Sequence, residues 1–184
     1  MTSAAPFSAS STTQGVRHVP AGEGLSLWAV GDTYTIKSTA ETSGGSLTFV
    51  EGSIPPGSGP PPHVHTREEE AFYILSGRLE MLDGDRTFLA GTGDFILVPR
   101  GTVHRFRNVG VDAARLLLMF APGGMDGFFT GVGKPARPGE QAPPIDSDEL
   151  DKSLALAERF GIRVMWEGLP PDLARMARER SDTA

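Results

Sequence analysis

Apolar positions alternate with polar ones along most of residues 24–120, and a period of two predicts strands. Leu25 to Val30 alternates until Gly31-Asp32 breaks it, and Thr33 to Ser38 resumes with Tyr34 and Ile36 on one side. Gly44-Gly45 turns the chain into Ser46 to Glu51. Ala71 to Leu75 is an apolar run ending at Ser76-Gly77, and Phe95 to Val98 is another, stopped by Pro99. Leu79 to Leu82 and Thr87 to Ala90 flank Asp83-Gly84, a hairpin signal. Val103 to Asn108 and Arg115 to Phe120 complete the pattern. About eight to ten short strands separated by turn residues predict an all-β sandwich or barrel. Pro55, Pro56, Pro60, Pro61 and Pro62 have the composition of a linker, but they run directly into His63 and are read as a stiff approach to it.

Beyond Pro122 the period changes. Met125 to Thr130 reads as a helical turn and Lys134 to Pro144 as a connector. Ser147 is the expected N-cap of a helix with Glu149 in its first turn, and Leu150, Leu154, Ala157 and Phe160 share one face. Gly161 ends it, and Pro170-Pro171 opens a second helix over Asp172 to Arg180. The expected organisation is a disordered start over residues 1–14, a β-unit over 15–124 and a helical extension over 125–184 packed on the β-unit or on a dimer partner. Leu150, Leu154, Phe160, Met165, Trp166, Leu169, Leu173 and Met176 are too many large apolar groups for a solvated arm. The plainer expectation is that they cover the outer face of a sheet. The alternative is a lid over the mouth of the β-unit, with Phe160 or Trp166 excluding water.

Composition narrows the chemistry. The 184 residues hold no cysteine, which excludes disulfides, thiolate metal sites and a cysteine nucleophile. A formal charge of −6 argues against a nucleic-acid partner or a basic membrane anchor. No run approaches the ~18 apolar residues of a membrane span. The first residues lack the charged and apolar regions of a secretory signal, so a cytoplasmic location is the default expectation. No glycine-rich nucleotide fingerprint follows a strand.

His63 and His65 stand two apart, so on a strand both imidazoles face one side. Glu70 follows at the start of the next apolar strand, where a turn through Thr66 to Glu69 can bring it back beside them. His104 lies on a later strand with Phe106 and Asn108 on its own side. Three imidazoles and a carboxylate suit one divalent transition metal per chain: Ni, Mn, Fe, Co or Zn. Phe72 and Ile74 share the parity of Glu70, and Phe106 that of His104, which makes the three candidates to line a substrate pocket. Glu68 and Glu69 are expected to be solvated charges near the mouth, and His18 to lie away from the site.

These residues also carry a resemblance. Gly57, His63, His65, Glu70 and Gly77 match the first cupin motif, and Gly93, Pro99, Gly101, His104 and Asn108 match the second, both in order and at the motif spacing. The resemblance extends over about Gly24 to Phe120 and implies a cupin jelly-roll β-barrel with a short C-terminal helical appendage. It implies His63, His65, Glu70 and His104 as metal ligands, and a structural role for Asn108. The segments GPPPHVHTREEEAFYILSGRLEM and VPRGTVHRFRN further resemble single-domain bacterial cupins described as quercetin 2,3-dioxygenase-like. That likeness implies a dioxygenase cleaving a flavonol or similar aromatic enol with O2 and releasing CO, with Glu70 both ligand and general base. Two other readings stand beside it. One is a different cupin enzyme, an isomerase, cyclase or decarboxylase on a small carbonyl compound or polyketide-type substrate. The other is a non-enzymatic small-molecule-binding cupin. A homodimer is expected, with the apolar strand Leu25 to Val30 and its Trp28 as a candidate contact.

Overall fold

The computed structural model describes residues 15–165. Two antiparallel sheets enclose the core. In chain order the strands are β1 (Leu25–Ala29), β2 (Asp32–Ser38), β3 (Thr48–Ile54), β4 (His63–His65), β5 (Glu69–Ser76), β6 (Arg78–Asp83), β7 (Arg86–Gly91), β8 (Phe95–Val98), β9 (His104–Asn108) and β10 (Ala114–Ala121). Helix α1 (Met125–Val132), β11 (Lys134–Pro135), α2 (Ser147–Arg159) and β12 (Ile162–Val164) follow. One sheet runs β11-β1-β2-β3-β10-β5-β8 and the other β12-β4-β9-β6-β7.

The period-two pattern becomes the core directly. Tyr34 and Ile36 of β2, Val50 and Ile54 of β3, Phe72 and Ile74 of β5, Leu79 and Met81 of β6, and Leu116, Leu118 and Phe120 of β10 all turn inward and are buried. Each burial contributes roughly 1.5–3 kcal/mol relative to exposure. The chain changes sheets at Gly77, between β5 and β6. A side chain there would press on Ala114, whose Cα lies 2.8 Å from the place of a Cβ, and φ is +93°. The proline-rich stretch is no linker. It packs so closely on β9 that a Cβ on Gly59 would sit 2.1 Å from the Phe106 carbonyl oxygen.

The all-β expectation holds, in the form of a two-sheet jelly roll. The pairing does not close into one barrel: β11 and β8 remain edges of one sheet, β12 and β7 of the other. Helix α2 starts as expected, although its N-cap is Asp146, whose carboxylate accepts from the Glu149 N–H at 2.7 Å. The C-terminal segment does more than pack as helices. It adds β11 beside β1 and β12 beside β4. The first of these bears on the Leu25 to Val30 contact. Trp28 pairs with Lys134, and the Arg137 guanidinium lies 5.9 Å from the centroid of its ring. That edge is therefore occupied within the chain. The expected disorder of residues 1–14, the helix over Asp172 to Arg180, and Trp166, Leu169, Leu173 and Met176 lie outside the described residues. Among the described residues no helix is long and apolar enough to cross a membrane.

Candidate metal centre

Strand β4 is only three residues long, and its two histidines both point inward while Val64 points away. Strand β9 lies beside it with His104 in register with His63. Glu70 reaches the same point from β5 in the opposite sheet. All four side chains are buried, and one ligand atom from each lies within 4.8 Å of the others. Nε2 of His63 is 3.2 Å from Nε2 of His65, and Oε2 of Glu70 is 2.9 Å from Nε2 of His104 and 3.2 Å from Nε2 of His65. The sequence candidates thus meet at one place.

The far side of each ring explains why they converge. Nδ1 of His63 faces the Pro61 carbonyl oxygen at 2.9 Å, Nδ1 of His104 the Thr102 carbonyl oxygen at 3.0 Å, and Nδ1 of His65 the Glu68 carboxylate at 3.0 Å. Each partner only accepts, so each Nδ1 carries the hydrogen and donates it. With an ion bound, that tautomer turns each Nε2 lone pair toward the centre; without one, Nε2 of His65 and Nε2 of His104 face the Glu70 carboxylate and donate to it. Nε2 of His63 and Nε2 of His65 face each other at 3.2 Å. Metal–nitrogen bonds of about 2.0–2.1 Å give ligand–ligand separations near this value. The donor set therefore fits a divalent transition metal, with His63, His65, Glu70 and His104 as its holders.

The electrostatics follow from burial and from these contacts. Burial, aided by the neighbouring imidazoles His104 and His65, pushes His63 down to about 3, so it stays neutral. Burial also works against a charged His65, but the Glu68 and Glu70 carboxylates outweigh it and raise His65 to about 9. Burial would raise Glu70, yet hydrogen bonds from His104 and His65 hold it well below the usual carboxylate range. The carboxylate is ionised at any ordinary pH.

An apolar cavity of about 100 Å³ opens on His63, His65 and Glu70. Tyr34, Phe106, Leu118, Phe120, Phe128 and Phe129 form its walls, and Leu150, Ser153, Leu154 and Ala157 of α2 roof it with Ile162 and Val164 of β12. Of the three pocket candidates, Phe106 reaches this wall. Phe72 and Ile74 face the same interior from deeper in the core, Phe72 with its ring edge-on to Phe106 at 5.7 Å. Asn108 is structural: its amide donates to the Ile54 and Asp112 carbonyls and its oxygen accepts from the Gly110 N–H. His18 is exposed.

Glu68 corrects the expectation of a solvated charge. It is 6% exposed and bound to His65, whereas Glu69 is exposed. The signal was in the spacing, because Glu68 shares the parity of Glu70. The roofing by α2 agrees with the lid named as the alternative, not with the plainer expectation of an outer-face cover. The apolar stripe of α2 signals a buried face without saying what that face meets.

Residues 50–120 match the family model of the cupin domain. The solved structure of a predicted oxalate decarboxylase from Thermotoga maritima superposes with a TM-score of 0.54 at 21% identity, covering 58% of this chain and 99% of that one. The chain carries a cupin domain. An RmlC-like cupin from Shewanella frigidimarina agrees in fold, with a TM-score of 0.51 at 19% identity over 62% of this cupin and 98% of its own chain. In sequence, the cupin is 28% identical over 114 residues to quercetin 2,3-dioxygenase of Bacillus subtilis, covering 62% of this chain and 34% of that one. It is 37% identical over 94 residues to polyketide synthase CurC of Streptomyces cyaneus, covering 50% of this chain and 60% of that one. The cupin therefore spans between about a third and three fifths of the length of these curated relatives.

Proposed function

We propose that this cupin is a metal-dependent dioxygenase that opens a ring of a flavonol or similar aromatic enol with O2, with Glu70 as ligand and general base. The observation that carries the reading is an almost wholly apolar cavity leading straight onto an ionised carboxylate among three imidazoles. Besides the candidate ligands, the polar side chains that line it among the described residues are Tyr34, whose hydroxyl is engaged with Asp32, and Ser153, whose hydroxyl donates to the Glu149 carbonyl. Among the described residues no arginine or lysine lines the cavity to hold a carboxylate or phosphate. Such a wall favours a flat, uncharged substrate whose oxygens gather at one end.

A divalent ion held by the four side chains would lower the pKa of a substrate hydroxyl by charge stabilisation. Glu70 would accept that hydroxyl proton. The aromatic rings of Phe106, Phe120 and Phe129 would orient the substrate, while α2 keeps water away. With a flavonol, both atoms of O2 enter the opened product, two ring C–C bonds break, and the lost carbon leaves as CO.

Metal analysis followed by an oxygen electrode with flavonols and monocyclic enediols tests this. Metal-loaded protein should consume O2 and release CO with a flavonol. Glu70→Gln should abolish turnover while retaining ligand binding, provided the variant is still folded. A metal-loaded protein that consumes no O2 with any member of the panel sinks the dioxygenase reading. The similarity to polyketide synthase CurC, at higher identity than to the dioxygenase, favours as second reading a cyclase, isomerase or decarboxylase on a polyketide-type substrate. We further propose that the cupin pairs as a homodimer.

A further inference from the structure

We propose that Glu68 is a positioning residue that locks His65 in its metal-binding tautomer and supplies the second negative charge that balances a divalent ion. The inference rests on the reading of His63, His65, Glu70 and His104 as a metal centre, and concerns a residue outside those four. The three histidines are not held alike. His63 and His104 donate Nδ1–H to neutral backbone carbonyls of Pro61 and Thr102, but His65 donates to a carboxylate. A carboxylate makes the stronger, charge-assisted hydrogen bond and makes the opposite nitrogen a better donor to a metal.

The placement of Glu68 is built into the backbone. Alternation at the start of β5 sends Glu70 inward and Glu69 out to solvent, and Glu68, immediately before the strand, turns inward as well. The bend at Thr66 that returns the chain from β4 to β5 is pinned from the C-terminal segment. The Thr66 N–H and the Thr66 hydroxyl both donate to the Gly161 carbonyl oxygen at 2.8 Å. A Cβ on Gly161 would come within 2.7 Å of the Thr66 hydroxyl oxygen, so the approach requires glycine there. The Glu68 side chain is 7% exposed and its Oε1 lies 3.0 Å from the ring nitrogen.

Charge is the second argument. With each Nδ1–H donated outward, the three imidazoles are neutral ligands. Glu70 contributes one negative charge and Glu68 another, and together they match a single divalent cation in an apolar interior that disfavours unbalanced charge. Removing the Glu68 charge would leave the loaded centre with a net positive charge.

The test uses Zn2+, which is diamagnetic, on the full chain. Affinity is measured by competition with a chromophoric chelator for the wild type, Glu68→Gln, Glu68→Ala and Glu69→Gln. The glutamine keeps the shape of the side chain, and Glu69→Gln removes the same charge one residue away on the exposed side. Glu68→Gln and Glu68→Ala should bind Zn2+ about 10–100-fold more weakly, with unchanged circular dichroism, and Glu69→Gln should stay within about twofold. Long-range 15N correlation spectra should show His65 of the wild type protonated at Nδ1 and metal-bound at Nε2, and Glu68→Ala should lose that signature. Wild-type binding that both Glu68 variants leave within twofold overturns this inference alone. So does a loaded wild type with His65 protonated at Nε2. A wild type that binds no Zn2+ overturns the metal centre and the inference together.

Discussion

Asp32 stands at the start of β2, 1% exposed, accepting hydrogen bonds from the Ser58 hydroxyl at 2.6 Å and the Tyr34 hydroxyl at 3.0 Å. These bonds tie the β1–β2 turn to the proline-rich approach of the candidate metal centre. Burial disfavours the carboxylate and, against the two hydrogen bonds, pushes Asp32 up to about 7 from 3.8. The sign is opposite to that of an ion-paired aspartate. Below pH 3.8 Asp32 is protonated whether folded or not, and its effect on stability vanishes. As pH rises toward about 7 the unfolded chain releases the proton first, so this group destabilises the fold progressively and levels off above that value. The expected outcome is that Asp32→Asn flattens the loss of stability between pH 4 and pH 7, by an amount on the order of a few kcal/mol. Urea unfolding at a series of pH values checks it. A variant whose pH profile parallels the wild type would show that Asp32 is already ionised in the fold at low pH.

Helix α2 is where the C-terminal segment meets the site. Leu150, Leu154 and Ala157 present one stripe to the cavity, and a Cβ on Gly131 of α1 would come within 3.0 Å of Leu156. Glu149, 6% exposed, accepts from the Val30 N–H at 2.8 Å. Val30 has a φ of +55°, a left-handed conformation that a β-branched residue adopts at a cost, and it too borders the cavity. The helix thus holds a strained turn and the turn holds the helix. Glu149→Ala should remove the partner of that N–H and cost about 1–3 kcal/mol. Hydrogen exchange at Val30 should accelerate with it, and faster exchange should spread along α2. Thermal unfolding and exchange mass spectrometry read both effects. Exchange at Val30 equal to that of the wild type would contradict the coupling. The position of α2 favours the lid over the outer-face cover, because its apolar face meets the cavity beside Glu70.

At the scale of the whole molecule, one patch of exposed apolar side chains lies on the outer face of the seven-stranded sheet near its β8 edge. Tyr73 is 44% exposed, Phe95 63% and Leu97 52%. Tyr73 and Phe95 are paired across β5 and β8, and Leu97 is paired with Ala71. Strand β8 carries no charge and no proline, the usual devices that keep an edge unpaired. The proposed homodimer is therefore expected to use this region, since β11 already covers β1 and ends in Pro135. Sedimentation at micromolar concentration should give twice the 19.5 kDa chain mass, and Leu97→Glu should shift it toward the monomer. A wild type that sediments as a monomer rejects the dimer.

Much of this was legible along the chain because it is local or periodic. Alternation names the inward faces of β2, β3, β5, β6, β9 and β10 and puts His63 and His65 on one side, since a strand sends i and i+2 the same way, while the resemblance to the cupin motifs implies Glu70 and His104 as the further candidate ligands. Parity also contained Glu68, but the charge of three consecutive glutamates suggests solvent, and only the bend pinned by Gly161 turns Glu68 inward against His65. The short strands β11 and β12 have no periodicity of their own. They exist because β1 and β4 offer unpaired backbone edges, which are properties of the assembled sheets. Likewise an apolar stripe on α2 dictates that the helix be buried, while hydrophobic burial is non-directional and leaves its partner open. What the sequence determined by itself is which side chains turn inward and which can bind a metal. Tertiary structure alone decided that the C-terminal segment roofs the cavity and supports the ligand strand, because those contacts join residues about a hundred positions apart and depend on edges and cavities that exist only after the sheets have formed.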